Sequence, residues 1–483
     1  VKASLLAALL PGSTMRGNDI EIGGIKPDSR AIKPGDAFIA LKGSVSDGHL
    51  FIQNALNKGA SVIICNKGAF REDMAVTAIE VPDTTHALRE ILPLLYPGAR
   101  KISLIGITGT SGKTSTTYLL ESILLRAGRT PGVIGTIESR YKGLRMESSV
   151  TTPGPLNLFE MLEVMHTSGV DTCIMEVSSH ALDQGRIDGL SYDYAVFMNL
   201  SLDHLDYHKD MYAYFSAKKR LFMEYLKGRA IINYDDMFGR DLIGELNAPI
   251  TFGQTERAMV KALKVQADLG GIRMELGTPG GTMQITSPLL GSFQAYNIMA
   301  SVGVCLAMEI DRDTIERGIQ ALQGIPGRMD PVENPYGLKI IVDYAHKPEA
   351  LEKALQSARG LARGRIITIF GCGGDRDRSK RSVMGSISER LSDITIVTSD
   401  NPRSEDPLAI IDEITSGIRD RTNLFVEPER AKAIMLGIKI IRNDDCLIIA
   451  GKGHETYQII GDKRIPFDDK VCVQECLREV FGR

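Results

Sequence analysis

The sequence predicts an α/β protein of three domains, the central one built on a mostly parallel sheet. Three observations carry this. The chain has 483 residues, and at roughly 150 residues per domain that makes about three. Short apolar runs that read as buried strands alternate with helical stretches, the pattern of a parallel sheet with crossover helices. Several of these runs end in glycine-rich or polar loops, the places where open parallel sheets carry ligands.

The first block covers residues 1–98. VKASLLAALLPG spaces Leu5, Leu6, Leu9 and Leu10 at helical intervals before Pro11-Gly12, which predicts a short surface helix and not a leader peptide. DAFIALKG and SVIICN read as strands and FIQNALNKG as a helix, and the Tyr96-Pro97-Gly98 turn closes the block. The second block, 99–327, opens with ISLIGIT. CIMEV, AVFMNL and RAIIN are further buried strands, and the Gly- and Thr-rich 250–290 region points to a small antiparallel excursion. The third block, 328–483, restarts the alternation with LKIIVDYAH, RIITIFGCGG, DITIVTSDNPR and DCLIIAGKGHE.

Composition bounds the function. Lys plus Arg total 57 against 60 for Asp plus Glu, a formal net charge of −3. Such a balance offers no electrostatic footprint for nucleic acid or an anionic membrane. Hydrophobic residues at 43% and charged residues at 24% exclude a disordered chain. The seven cysteines include no Cys-x-x-Cys pair, and Cys472 and Cys476 fit buried positions on a helix. This is cysteine usage for a reducing compartment. No apolar run approaches the roughly 18 residues that span a bilayer. The expected location is cytoplasmic.

The strongest local signal is ISLIGITGTSGKTSTTYLLESILL. An apolar strand enters the turn Gly109-Thr110-Ser111-Gly112-Lys113-Thr114, and a helical pattern follows at once. Glycines let backbone N–H groups close around phosphate oxygens, and the helix N-terminus adds a favourable dipole. Lys113 supplies a point charge to terminal phosphates, and the Thr114 hydroxyl can coordinate Mg2+. The spacing departs from strict G-x-x-x-x-G-K, because Ile107 stands five before Gly112.

Two more strand ends carry charge. CIMEVSSH puts Glu176 where an acid could hold Mg2+. NLSLDHLDYHKD gathers Asp203, His204, Asp206 and His208; alone it reads as a solvated loop, beside a phosphate loop as a metal site. In DMYAYFSAKKRLFMEYL, Lys218 shares its helical stripe with Tyr214, Phe215, Leu221, Phe222 and Tyr225. Burial would free its amine to take up carbon dioxide as a carbamate, an anionic metal ligand. The competing reading is a snorkelling lysine whose head reaches solvent, and from periodicity alone it is the stronger.

GTSGKTS, TTP, EVSSHALDQGR, NLSLDHLDYH, the AK of FSAKKRLF, PGRMD, DYAHKPEAL, FGCGGDRDRSKR, SDNPR and GKGHE follow one another along the chain. In this order they resemble the Mur ligase family across all three blocks, including its shorter GTxGKT loop. The resemblance implies a smaller α/β N-terminal domain for UDP-MurNAc, a central P-loop ATPase domain and a Rossmann-like C-terminal domain for the amino acid. It implies a monomeric, ATP-dependent amide ligase of peptidoglycan precursor synthesis, acting in cell-wall biogenesis, cell shape and division. The implied substrates are UDP-MurNAc-L-Ala-D-Glu and meso-diaminopimelate.

Residue by residue, the resemblance implies that Gly109, Thr110, Ser111, Gly112, Lys113, Thr114 and Ser115 cradle ATP. Asn297, Arg328 and Asp343, with Tyr344 and His346, complete that site. Thr114, Glu176 and His204 would hold two Mg2+ ions, with Lys218 carbamylated; this reverses the reading from periodicity. Ser29, Ser44, Val45, Ser46, Thr151, Thr152, Ser178, Gln184 and Arg186 match the UDP-MurNAc-dipeptide site. Arg376, Asp400, Asn401, Pro402, Arg403, Gly451 and Glu455 match the diaminopimelate site. Arg403 is suited to the second carboxylate, which lysine lacks, because a guanidinium pairs bidentately with carboxylate. The competing reading pairs Arg403 with Glu405 or Asp406. Other functions weighed are a folylpolyglutamate synthase or another Mur ligase, opposed by EVSSHALDQGR and DNPR; a switching P-loop NTPase; and an inactive scaffold, opposed by intact Lys113, Glu176, His204 and Lys218.

Overall fold

The computed structural model describes residues 1–43, 46–70, 76–148 and 150–482. Ser44 and Val45, and the side chain of Asp206, lie outside the described residues. The chain forms two compact units.

The first unit holds Val1–Leu104, Thr152–Cys173 and His180–Tyr192. Its five-stranded sheet runs in the order Thr14–Arg16, Thr77–Val81, Val62–Asn66, Ala37–Ile39, Ile25–Lys26. All pairs are parallel except the first. The opening helix, Ala3–Leu9, buries Leu6 and exposes Leu5 and Leu9, as an amphipathic surface helix does. Within this unit the Pro155–Thr167 helix is tied down by its acids. Glu160 accepts from Lys26 Nζ at 3.0 Å and Tyr96 Oη at 3.1 Å, and Glu163 from the Ala99 N–H at 3.1 Å.

The second unit holds Ile105–Thr151, Ile174–Ser179 and Asp193–Arg483. Its larger sheet has eleven strands, with Ser103–Thr108 flanked by Tyr192–Phe197 and Thr172–Glu176. Tyr192–Phe197 runs parallel to Ser103–Thr108, Ala195 opposite Gly106, so the two strands end side by side. The expected excursion is present but starts later: Ile250–Gly253 is still parallel, and Val260–Asp268, Gly271–Thr278 and Gly281–Ser287 then run antiparallel. The opposite edge adds two hairpin pairings, Pro131–Ile134, Glu138–Tyr141 and Leu144–Glu147. The core packs Ile105, Ile107, Ile174 and Val196 against Leu119, Leu120 and Ile123 of the Lys113–Arg126 helix and Ile298 and Met299 of Gln294–Ala307.

The second sheet of this unit has six strands in the order Asp330–Pro331, Lys339–Asp343, Cys446–Ala450, Ile366–Phe370, Ile394–Val397, Leu424–Val426. All pairs but the first are parallel. Successive residues point to opposite faces. Cys446, Ile448 and Ala450 join one core with Leu351, Leu355 and Ile411, while Leu447 and Ile449 join another with Ile434, Ile438, Val473 and Leu477. Helices therefore cover both faces, which is why these strands read as unbroken apolar runs. All seven cysteines are buried and unpaired, Cys472 and Cys476 included. Among the described residues no helix is long and apolar enough to cross a membrane.

Candidate active site

The glycine turn leaves Ser103–Thr108 at Gly109, where φ is +147° and a Cβ would lie 2.7 Å from Met198 Cβ. Gly112, at φ +89°, has Asn297 Oδ1 where a Cβ would go. Only glycine fits both places. Asn199, just past the neighbouring strand, holds the turn: its carbonyl accepts from Thr110 N–H at 3.0 Å and its Oδ1 from Ser111 N–H at 2.9 Å. The helix follows immediately, with Thr114 and Ser115 buried in its first turn. Lys113 folds back so that Nζ donates to the carbonyls of Gly109 at 2.8 Å and Thr110 at 3.1 Å. Burial lowers its pKa to about 8. A glycine turn that opens directly onto a helix N-terminus, with a lysine in its first turn, is the arrangement that suits a phosphate group.

Glu176 ends its strand beside this turn. Its Oε1 accepts from Thr114 Oγ1 at 3.0 Å and from Thr136 N–H at 2.8 Å, and its Oε2 from Thr136 Oγ1 at 2.9 Å. Thr151 Oγ1 lies 3.1 Å from Thr136 Oγ1. Arg328 donates from Nη2 to Thr114 Oγ1 at 3.4 Å and lies over the Tyr344 ring, 4.5 Å from its centroid. Asp343, at the end of Lys339–Asp343, accepts from Met329 N–H at 2.6 Å, and burial raises its pKa to about 6. Buried Asn297 donates to Gln294 Oε1 at 2.6 Å.

The acidic loop divides by role. His208 is buried, with Nε2 2.9 Å from Ser179 Oγ and its ring stacked on Tyr214. His204 is more open and left-handed, at φ +53°. Its Nε2 lies 3.0 Å from Asp203 Oδ2, which also accepts from Lys347. Burial pushes the Asp203 pKa up, but His204 and Lys347 outweigh it and hold the carboxyl well below the usual range. Lys218 is 1% exposed, so its head does not snorkel. Its Nζ donates to the Gly109 carbonyl at 3.0 Å and faces the Tyr214 ring, 4.5 Å from its centroid. Burial, and then the charge of Lys113, drive its pKa far below that of an ordinary lysine.

Among the described residues no three His, Cys, Asp or Glu side chains gather as a metal set. The oxygens of Thr114 and Glu176 are nonetheless the hard donors that Mg2+ takes, with its remaining positions left to water and phosphate.

In the first unit, Arg186 joins two of the predicted residues. It donates from Nη1 to the Thr152 carbonyl at 2.9 Å and from Nε and Nη2 to Gln184 Oε1 at 2.9 and 2.7 Å. Ser29 is buried at the start of a 3-10 turn capped by Asp28. The carbonyl of exposed Ser46 accepts from Gly43 N–H at 2.9 Å. In the second unit, Ser178 is half-buried two residues beyond Glu176.

The six-stranded sheet brings a second group together at its strand ends. Asn401 Oδ1 accepts from Ile459 N–H at 2.9 Å and Lys452 Nζ at 3.3 Å, and its Nδ2 donates to Glu455 Oε2 at 2.9 Å. Asp400 is buried against Gly451, whose missing Cβ makes room for its carboxylate. Arg403, left-handed at φ +52°, donates from Nη1 to the Gly374 carbonyl at 2.7 Å. It has no ion pair among the described residues. Arg381 takes Glu405 at 2.9 Å, and Asp406 caps the next helix through Leu408 N–H at 3.0 Å, so the alternative pairing of Arg403 does not occur. The Pro402 carbonyl closes this turn by accepting from Glu405 N–H at 3.1 Å. A Cβ on Gly373 would stand 2.9 Å from Arg403 Nη1 and 3.8 Å from Cγ of exposed Arg376, so both arginines flank one small residue.

Sequence reasoning missed Thr136, Lys347, Arg381 and Lys452. Lys452, inside GKGHE, carried the clearest signal.

Family models match three successive stretches: the Mur ligase family catalytic domain over 21–95, the Mur ligase middle domain over 107–305 and the Mur ligase glutamate ligase domain over 327–453. The UDP-N-acetylmuramoyl-L-alanyl-D-glutamate–2,6-diaminopimelate ligase of Gloeobacter violaceus is 44% identical over 468 residues, 96% of each chain. The ligase of the same name from Geobacter metallireducens is 41% identical over 489 residues, again 96% of each. A solved structure of a ligase of that name superposes with a TM-score of 0.68 at 30% identity, covering 95% of both chains. MurF ligase from Thermotoga maritima in complex with ADP gives a TM-score of 0.65 at 19% identity over 94% of this chain and 97% of its own, a likeness of fold alone.

Proposed function

The chain belongs to the Mur ligase family, and from that premise we propose that it adds meso-diaminopimelate to UDP-MurNAc-L-Ala-D-Glu at the expense of ATP, in peptidoglycan precursor synthesis. A free carboxylate is a poor electrophile because its leaving group would be oxide. Phosphoryl transfer from ATP to the D-glutamate γ-carboxylate makes an acyl phosphate and releases ADP. The diaminopimelate amine attacks the acyl carbon, and phosphate departs as the amide forms. The protein's part is to position the reactants and offset phosphate charge.

Gly109 to Ser115 hold the ATP phosphates, Lys113 at the terminal ones. Asn297, Arg328 and Asp343 hold the rest of the nucleotide. Thr114, Glu176, His204 and carbamylated Lys218 would hold two Mg2+ ions, which supply Lewis-acid neutralisation of the phosphates. The low pKa and 1% exposure of Lys218 support an uncharged amine open to carbon dioxide. Ser29, Ser44, Val45, Ser46, Thr151, Thr152, Ser178, Gln184 and Arg186 bind the UDP-MurNAc-dipeptide. Arg376, Asp400, Asn401, Pro402, Arg403, Gly451 and Glu455 bind diaminopimelate. The domain borders are 98/99 and 327/328, the enzyme acts as a monomer, and buried, unpaired cysteines support a cytoplasmic site of action.

The observation that carries this reading is Arg403, a guanidinium without a carboxylate partner among the described residues, in a chain that also holds a phosphate cradle. The test is ADP release and product mass with UDP-MurNAc-L-Ala-D-Glu and a panel of diaminopimelate isomers, L-lysine and L-ornithine. Meso-diaminopimelate should give the fastest release and a tripeptide product. Equal rates with lysine would reject the amino-acid assignment, and no product with any amine would reject the ligase.

A further inference from the structure

One oxygen, Asp203 Oδ2, serves two partners: it accepts from Lys347 Nζ and lies 3.0 Å from His204 Nε2. Lys347 comes from the other sheet of the unit. It stands 144 residues along the chain, past the Lys339–Asp343 strand, at the N-cap of the Pro348–Leu361 helix. That is a poor place for a cation, because the helix dipole is positive there and favours anions. Lys347 makes no side-chain cap bond that would explain its presence. It also lies near other cations, since its charge acts on Lys113 and Lys380, and Arg328 acts on Lys113 as well. The carboxylates acting on Lys113 are Glu176 and Asp203. Even with these two carboxylates present, positive charges crowded beside the glycine turn, one of them against a helix dipole, are stabilised by a further anion.

We propose that Lys347 reads the terminal phosphate of ATP: its ammonium exchanges Asp203 Oδ2 for a γ-phosphate oxygen. The exchange also relieves Asp203 of one of its two partners beside His204. This rests on the ligase reading for the identity of the nucleotide, and on geometry for the residue.

The test measures calorimetric binding of β,γ-methylene-ATP and of ADP, each with Mg2+, to the wild type, Lys347→Met and Lys347→Arg. Lys347→Met should weaken the triphosphate analogue about tenfold, the worth of one charge-assisted hydrogen bond, and change ADP binding less than twofold. Lys347→Arg should keep most of the triphosphate preference. Unchanged ADP binding also reports that the variant is folded. Equal weakening of both nucleotides, or of neither, would overturn the proposal. Wild-type protein is assayed in parallel for tripeptide formation: product with an unaltered Lys347→Met profile removes only the role of Lys347, whereas nucleotide binding without product removes only the ligase.

Discussion

A buried ammonium must replace its hydration, and among the described residues Lys218 has the Gly109 carbonyl at 3.0 Å and the face of Tyr214 for that purpose. The neutral amine is therefore the cheaper state. Lys218→Ala should lower turnover by on the order of 10³-fold and recover in part with added acetate or formate; an unchanged rate would dismiss the carbamate. Lys113→Ala removes the cradle's cation and should cost about 10²–10³ in kcat, read as ADP release. Arg403→Ala should raise the KM for diaminopimelate roughly 10- to 100-fold, with the KM for ATP moving little; equal effects would mark a general loss of fold. Asp343 has its pKa raised to about 6 by burial, so it gains a proton as pH falls through 6 and loses acceptor strength. ATP affinity should weaken below pH 6 in the wild type, and Asp343→Asn should flatten that dependence.

At the scale of elements, the turn at Gly109–Gly112 works because both glycines stand where side chains do not fit. Gly112→Ala meets Asn297 Oδ1 and a left-handed φ of +89° together. ATP binding should weaken by about tenfold or more, with far-UV circular dichroism retained; normal affinity would show that the turn adapts. Strand, turn and helix were legible here because a buried parallel strand is apolar throughout and the loop chemistry is local. The supports were not. Thr136 reaches Glu176 across 40 residues and Lys347 reaches Asp203 across 144, and no periodicity encodes such meetings. The Leu144–Glu147 strand escaped notice because all four of its residues are exposed, which leaves no alternation to read. Lys218 was legible as a position on the apolar stripe, but only the packing around its head distinguishes burial from snorkelling.

At the scale of the whole molecule, a buried ion pair joins two helices that pack on the six-stranded sheet. Arg430 and Asp469 are both fully buried, bonded at 2.7 and 2.8 Å, and Arg430 also donates to the Ala450 carbonyl at 3.1 Å. Arg430→Met leaves Asp469 charged and unpaired and should cost about 3–5 kcal/mol in denaturant unfolding. Adding Asp469→Leu should return most of it, and a double variant no better than the single would show that the pair is not the source. The strand that Arg430 steadies, Cys446–Ala450, is the last parallel strand in sequence, yet it lies between Lys339–Asp343 and Ile366–Phe370. A ribosome delivers those two flanking strands first. For the several seconds that separate them from their partner at translation speeds, they must stand apart without zipping together, since early closure would exclude the late arrival. The six-stranded sheet therefore closes only once its last parallel strand has emerged.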